Sequence, residues 1–194
     1  MRKFRNNEEA FTGLEAAIVL IAFVVVAAVF SYVVLGAGFF TTQKSQEVIH
    51  AGVQSAASNI IVKGDVYGIA DSQTSAASIQ YIQFDVGLAA GGLPIDMGRT
   101  NMIFSTTGIA PYSLTKSTSS TTNPEATYWI IYEKSPTSAD DVLDIGETFT
   151  IRMRPTAAMG PRTVFNLEIK PEYGAALAIS RSVPPSITYN TLLY

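Results

Sequence analysis

Between Glu15 and Lys44 the chain carries no Asp, Glu, Lys or Arg. The centre of that run, Ala16 to Phe40, reads AAIVLIAFVVVAAVFSYVVLGAGFF and holds only small or apolar residues apart from Ser31 and Tyr32. No other feature constrains the fold so strongly. A bilayer core is crossed by roughly 20 apolar residues of α-helix, so this segment is long enough to span one. It is apolar all the way round and has no face to turn to water. A helix made from it belongs inside lipid or inside protein.

The flanks say more. Residues 1–10, MRKFRNNEEA, are polar, and Arg2, Lys3 and Arg5 stand ahead of the apolar run. The positive-inside rule keeps those charges in the cytoplasm and sends the remainder outward. An ordinary secretory signal has a shorter apolar region, about 7–15 residues, with a small-residue cleavage site after it. Nothing of that kind follows Phe40, so cleavage is expected before the apolar run, which then stays in the mature protein. Beyond Val48 the pattern becomes amphipathic. Ile49, Val53, Ala56, Ala57, Ile60 and Ile61 recur at steps of three and four, while Gln46, Glu47, His50, Gln54 and Ser58 take the other side. A helix from Leu14 to Val62 is predicted, roughly 70 Å long at about 1.5 Å per residue. Lys63-Gly64-Asp65 has the lysine and glycine of a helix stop. Gly36-Ala37-Gly38 is either a point of close helix packing or bending, or a tolerated pair of glycines in a helix held by packing.

After residue 64 the period changes to two. Ile82, Phe84 and Val86 alternate with Tyr81, Gln83 and Asp85. Phe149, Ile151 and Met153 alternate with Thr148, Thr150 and Arg152, and Phe165, Leu167 and Ile169 with Asn166, Glu168 and Lys170. Residues 65–70, 101–106, 127–132 and 175–181 are further strand candidates. Gly- and Pro-bearing turn signals separate them, and about seven or eight short strands so spaced read as a β-sandwich. Ser113 to Thr122, SLTKSTSSTT, reads as a hydroxyl-rich surface loop. In an exported protein Ser117, Thr118, Ser119, Ser120, Thr121 and Thr122 are candidate acceptors for O-linked sugars, and a plain flexible loop is the alternative. The sequence has no Asn-x-Ser/Thr acceptor.

Composition narrows the function. The net charge is −3 and charged residues make up 15%, so there is no basic footprint for nucleic acid. There is no cysteine and His50 is the single histidine, which removes disulfides, thiol chemistry and Cys/His metal sites. Asp140, Asp141, Asp144 and Glu147 cluster, but without the order of a calcium-binding loop they read as a solvated acidic turn. Trp129 lies in a strand run and is expected in the core. No paired acid and base, nucleophile and base, or phosphate cradle is present, so neither an enzyme nor a cofactor is expected.

The junction Ala10-Phe11-Thr12-Gly13-Leu14-Glu15 has a charged leader ending in a small residue, then a short patch with one carboxylate, then the apolar helix. It resembles type IV pilin-like precursors, and Gly13 followed by IVLIAFVVVAAVFSYVVL resembles archaellins, the archaeal flagellins, in particular. Gly64-Asp65-Val66, Gly92-Leu93-Pro94-Ile95-Asp96, Gly146-Glu147-Thr148-Phe149-Thr150-Ile151 and Ile169-Lys170-Pro171 with Gly174-Ala175-Ala176-Leu177 extend the likeness across nearly the whole chain. Two places depart from the family pattern: Glu8, Glu9 and Ala10 stand where basic residues and a glycine are usual, and Glu15 stands where glycine is usual. The resemblance implies an α+β chain: a long N-terminal helix followed by an immunoglobulin-like antiparallel β-sandwich head. It divides the chain into a class III signal peptide (1–10), a filament-core helix (11–62) and an outer domain (63–194). It implies cleavage between Ala10 and Phe11 by a prepilin peptidase, with cleavage after Gly13 as the alternative. Expected partners are many copies of the chain, alone or mixed with paralogous archaellins, and the archaellum assembly and motor platform. The precursor is expected in the cytoplasmic membrane and the filament on the archaeal cell surface. Gly13, Glu15, Gly36 and Gly38 are the expected assembly residues; Glu15 either pairs with the new Phe11 amine of a neighbour or only complements the helix dipole. An adhesive archaeal pilin, or a membrane-anchored surface-binding module, is the alternative function.

Overall fold

The computed structural model describes residues 5–72, 77–118 and 122–194, with 5–11 and 57 as backbone only. The chain divides at Ala51/Gly52. Helix α1 spans Arg5–Ala57, 53 residues, which is about 80 Å of helix. It therefore takes in the backbone of the expected leader from Arg5 onward, and it ends earlier than the predicted Val62. Ser58 N–H donates to the Gln54 carbonyl at 3.0 Å, and Asn59 Nδ2 donates to the Ala56 carbonyl at 3.2 Å. Those bonds finish the last turn, and the Asn59 amide occupies a carbonyl that a longer helix would need.

The residues beyond correct the predicted boundary. Ile60, Ile61 and Val62 open strand β1 (Ile60–Ala70). Three β-branched residues in a row favour an extended chain, and Ile60 is buried in the head core. Lys63-Gly64-Asp65 is thus a mid-strand irregularity and not a helix stop. Gly64 has φ +83°, and the pairing register slips between Lys63 and Tyr67. That is a β-bulge, for which glycine supplies the left-handed backbone. The Lys63 ammonium reaches another strand, donating to the Glu147 carbonyl and to Thr148 Oγ1, both at 2.9 Å.

The head continues with β2 (Ile79–Leu88), β3 (Ile95–Asp96), β4 (Asn101–Thr106), β5 (Ile109–Lys116), β6 (Tyr128–Ser135), β7 (Val142–Leu143), β8 (Thr148–Met153), β9 (Val164–Lys170), β10 (Leu177–Ser182) and β11 (Asn190–Leu193). Strands β3 and β7 form a separate ribbon. The other nine follow the order β10-β9-β4-β5-β6-β8-β2-β1-β11. All their pairings are antiparallel except β5 with β6, which meet in parallel through Thr115 with Tyr128 and Lys116 with Trp129. The expected α+β arrangement, one long helix followed by an antiparallel-rich β head, is what the structure has.

Strand β5 joins two leaves. From β10-β9-β4 come the buried Ile179, Phe165, Leu167, Ile169, Met102 and Phe104; from β8-β2-β1 come Phe149, Ile151, Met153, Ile82, Phe84, Val86 and Val66. All belong to one contiguous core, with Trp129 fully buried in it. The period-two pattern of β2, β8 and β9 is the cause: one face of each strand is apolar, so each leaf has one face to bury. At the far ends of the order, Ser182 and Tyr194 exchange backbone bonds of 2.6 and 3.3 Å. That contact ties β10 to the end of β11 and shields two strand edges that would otherwise offer unpaired backbone to other chains.

Part of the predicted loop 113–122 is strand. Ser113 to Lys116 completes β5, and Leu114 turns into the core between two outward hydroxyl residues. The seam between β5 and β6 is also held by charge. The Asp141 carboxylate accepts from Lys116 Nζ and, at 3.0 Å, from Lys134 Nζ, which also donates to the Asp140 carbonyl. The hydrogen bond from Lys116, together with that from Lys134, holds the Asp141 carboxyl below its usual range against a smaller opposing effect of burial. A carboxylate whose pKa is lower in the folded state adds stability above its unfolded pKa and loses it as pH falls through the folded value. Asp141→Asn is expected to reduce thermal stability at pH 7, and its gap from the unaltered chain should narrow as pH falls below the ordinary aspartate range toward the lowered folded-state value. An equal gap at pH 7 and pH 2.5 in thermal melts would count against this role.

Candidate assembly surface

The apolar helix is exposed along its whole described length in the single chain. Phe23 is 78% and Val26 68% exposed, and Leu14, Val19, Phe30, Leu35 and Phe40 are similarly open. Thr12–Ala56 is long and apolar enough to cross a membrane. Its polar side chains are partly neutralised from within: Thr41 Oγ1 donates to the Ala37 carbonyl at 2.8 Å and Thr42 Oγ1 to the Gly38 carbonyl at 2.9 Å. A hydroxyl satisfied inside its own helix enters an apolar surround without an unpaired donor.

The expected assembly residues share this surface without touching one another. Glu15 is exposed and borders a shallow groove with Ala16, Val19, Leu20 and Phe23. At Gly13, Gly36 and Gly38 an added Cβ would meet nothing within 4 Å. Nothing among the described residues of the single chain therefore requires those three glycines. Ala10 and Phe11 lie in helical backbone. Among the candidate glycan acceptors, Ser117 continues the β5 ladder, its N–H donating to the Trp129 carbonyl at 2.9 Å, while Thr118 and Thr122 are exposed. Ser119, Ser120 and Thr121 fall outside the described residues. The acidic stretch 140–147 is engaged internally. Asp141 holds two lysines, Ser138 Oγ donates to Asp140 Oδ1 at 2.7 Å, and Glu147 Oε2 accepts from the Asp144 N–H at 3.0 Å. Among the described residues no three His, Asp or Glu side chains group as a metal site.

A second surface feature has no motif in the sequence. A pocket of about 490 Å³ lies on the outer face of the leaf containing β6, β8, β2 and β1, with Tyr67, Tyr81, Tyr132 and Tyr189 in its wall and Arg152 beside Gln83. The available signal was the identity of the outward residues: Tyr81, Gln83 and Arg152 alternate with core positions.

Residues 10–181 match the family model of archaeal-type flagellin. The chain belongs to the archaeal-type flagellin family. It is 41% identical to probable flagellin 2 of Archaeoglobus fulgidus, over 99% of this chain and 98% of that protein. Its fold is similar to the subunit in a structure of the archaeal flagellum of Methanospirillum hungatei strain JF1, with a TM-score of 0.74 and 36% identity, covering 93% of this chain and 98% of the other. Flagellin FlaB1 of Methanocaldococcus jannaschii shares the fold at a TM-score of 0.59 and 18% identity, over 71% of this chain and 97% of its own. Archaeal-type flagellins are structural subunits, and an exposed apolar helix and a packed β head are the equipment such a subunit needs.

Proposed function

We propose that this flagellin polymerises with many copies of itself into the extracellular filament of the archaellum, which drives swimming. The apolar surface of α1, open from Leu14 to Val53, carries this reading. A helix with no polar face is not stable in water, and burial among identical helices removes the exposure at every subunit at once. The precursor waits in the cytoplasmic membrane with its head outside. A prepilin peptidase cuts between Ala10 and Phe11 and removes Arg2, Lys3 and Arg5, the charges that hold the helix end on the cytoplasmic side.

Moving α1 from lipid to a filament exchanges one apolar surround for another, so water release contributes little. Close packing must drive the step, and Gly36 and Gly38 leave room for a neighbouring backbone to approach. Glu15 is the one carboxylate at the edge of the run, and the new amine of Phe11 on a neighbour is its natural counter-charge during docking. Copies joined by unlike surfaces need not close into a ring, so the product is a filament.

Deleting the gene is the test. Filaments and swimming should disappear and return when the gene is restored, with the mature chain beginning at Phe11 by mass spectrometry. Glu15→Ala should lower the number of filaments per cell. Retained swimming with lost surface adhesion would instead identify an adhesive pilin; a mature chain beginning at Leu14 would move the cleavage site, and normal filament numbers in Glu15→Ala would remove its docking role.

A further inference from the structure

We propose that the tyrosine-walled pocket on the head is a docking site for a second copy of this chain, which inserts the tip Asp144-Ile145-Gly146 between its β7 and β8. This rests on the filament reading above and names one contact within it. Arg152 supplies the first observation. It is only 9% exposed, and among the described residues no carboxylate forms an ion pair with it. Its Nε and Nη2 donate to Gln83 Oε1 at 3.1 and 2.7 Å, and its Nη1 donates to the Thr122 carbonyl and to Asn123 Oδ1, each at 2.9 Å. The guanidinium lies 3.7 Å from the ring centre of Tyr132. A guanidinium has five N–H groups, so one on Nη2 has no acceptor among the described residues. That N–H can donate to a carboxylate brought by another chain, a charge-assisted hydrogen bond stronger than one to a neutral acceptor.

The tip supplies the matching chemistry. Ile145 is 70% exposed, more than any other large apolar side chain described in residues 52–194. Beside it the exposed Asp144 carboxylate makes no ion pair among the described residues. The turn is stiff: Glu147 N–H donates to the Asp144 carbonyl at 3.1 Å, Asp144 N–H donates to Glu147 Oε2 at 3.0 Å, and Gly146 has φ +89°. An aliphatic side chain among tyrosine faces, with a carboxylate one residue away for the open Nη2 N–H of Arg152, fits a pocket whose wall is aromatic and whose lining carries Arg152 together with one carboxylate, Asp71.

Position makes the contact intermolecular. The tip precedes the first residue of β8, whereas Arg152 stands next to its last. About 13 Å of strand separates Thr148 from Arg152, at about 3.3 Å per residue. Tip and pocket therefore sit at opposite ends of one strand and cannot meet within a chain. A surface with a knob at one end and its socket at the other joins copies head to tail and leaves both ends open.

The absence of cysteine makes the test clean. The double variant Ile145→Cys with Tyr189→Cys, oxidised in assembled filaments, should run as a ladder of covalent dimers and higher multimers on a denaturing gel, while each single variant stays monomeric. Should the double variant not assemble, it is expressed with an equal amount of the unaltered chain, and covalent dimers are still expected. Monomer alone, from filaments confirmed by electron microscopy, would overturn the docking proposal and leave the filament reading standing. A missing filament in the unaltered strain would overturn the filament reading, and this contact with it.

Discussion

Replacing Val26 by aspartate is expected to abolish the filament while leaving the head folded. Val26 is in the middle of the charge-free run and is 68% exposed in the single chain, so the new carboxylate disturbs nothing within one subunit. Its cost falls on the two environments the helix must occupy. At the centre of a membrane helix an aspartate costs about 2.5–3.5 kcal/mol on insertion scales, which is a factor of about 100 in an equilibrium. In a helical core every subunit carries the same unpaired charge, and each is several kcal/mol less favourable than the valine it replaces. Filaments per cell, counted by electron microscopy, should fall by more than about 100-fold. Val26→Leu keeps the surface apolar and should assemble normally. Near-ultraviolet circular dichroism of the detergent-solubilised full chain should keep its aromatic signal, because Trp129 lies in the head core. Normal filament numbers with aspartate at Val26 would mean that this part of the helix is not enclosed.

The second large effect is expected at Gly174, in the turn between β9 and β10. Its φ is +105°, and a Cβ added there would lie 1.6 Å from the Ser58 carbonyl oxygen and 2.7 Å from the carbonyl carbon. The obstacle is backbone, so no rotamer change relieves it. Ser58 is itself buried at the end of α1, and the next residues are bridged, Asn59 with Ala175. Gly174→Ala combines an unfavourable backbone conformation, about 1–3 kcal/mol, with overpacking of about 1–3 kcal/mol. A head of this size loses about 3 °C of Tm per kcal/mol, so the melting temperature should drop by about 10 °C. Gly91→Ala is the control: φ is +78° there too, but nothing lies within 4 Å of the added atom. It should cost only the backbone part, about 1 kcal/mol. Equal losses at the two positions would show that the close approach to Ser58 is unimportant.

What could be read in the sequence divides along physical lines. The apolar run of α1 and the alternation of β2, β8 and β9 are local patterns, and the fold follows them. Periodicity alone misplaces the end of the helix because Ile60 and Ile61 satisfy two periods at once, spaced as a helix with Val53, Ala56 and Ala57 and branched as a strand. Burial in the head core decides between them, and burial is not a local property. Strand β5 was partly hidden by serine and threonine, with Leu114 as its one fully inward side chain in the misread segment. The meeting of Ser182 with Tyr194 has no local signature, because neither residue sets the register that brings them together. The pocket is the extreme case. Tyr67, Arg152 and Tyr189 become neighbours only through the order β8-β2-β1-β11. Candidate assembly residues of α1 can be proposed from the sequence because the helix surface is written linearly in it.

Filaments sheared from cells and imaged by electron microscopy to side-chain detail test the central claim most directly. The density is expected to show many copies of this chain, with residues 14–40 packed against one another along the axis and the β heads outside. A filament whose core does not contain this helix, or a chain found only as single copies in the membrane, would contradict it.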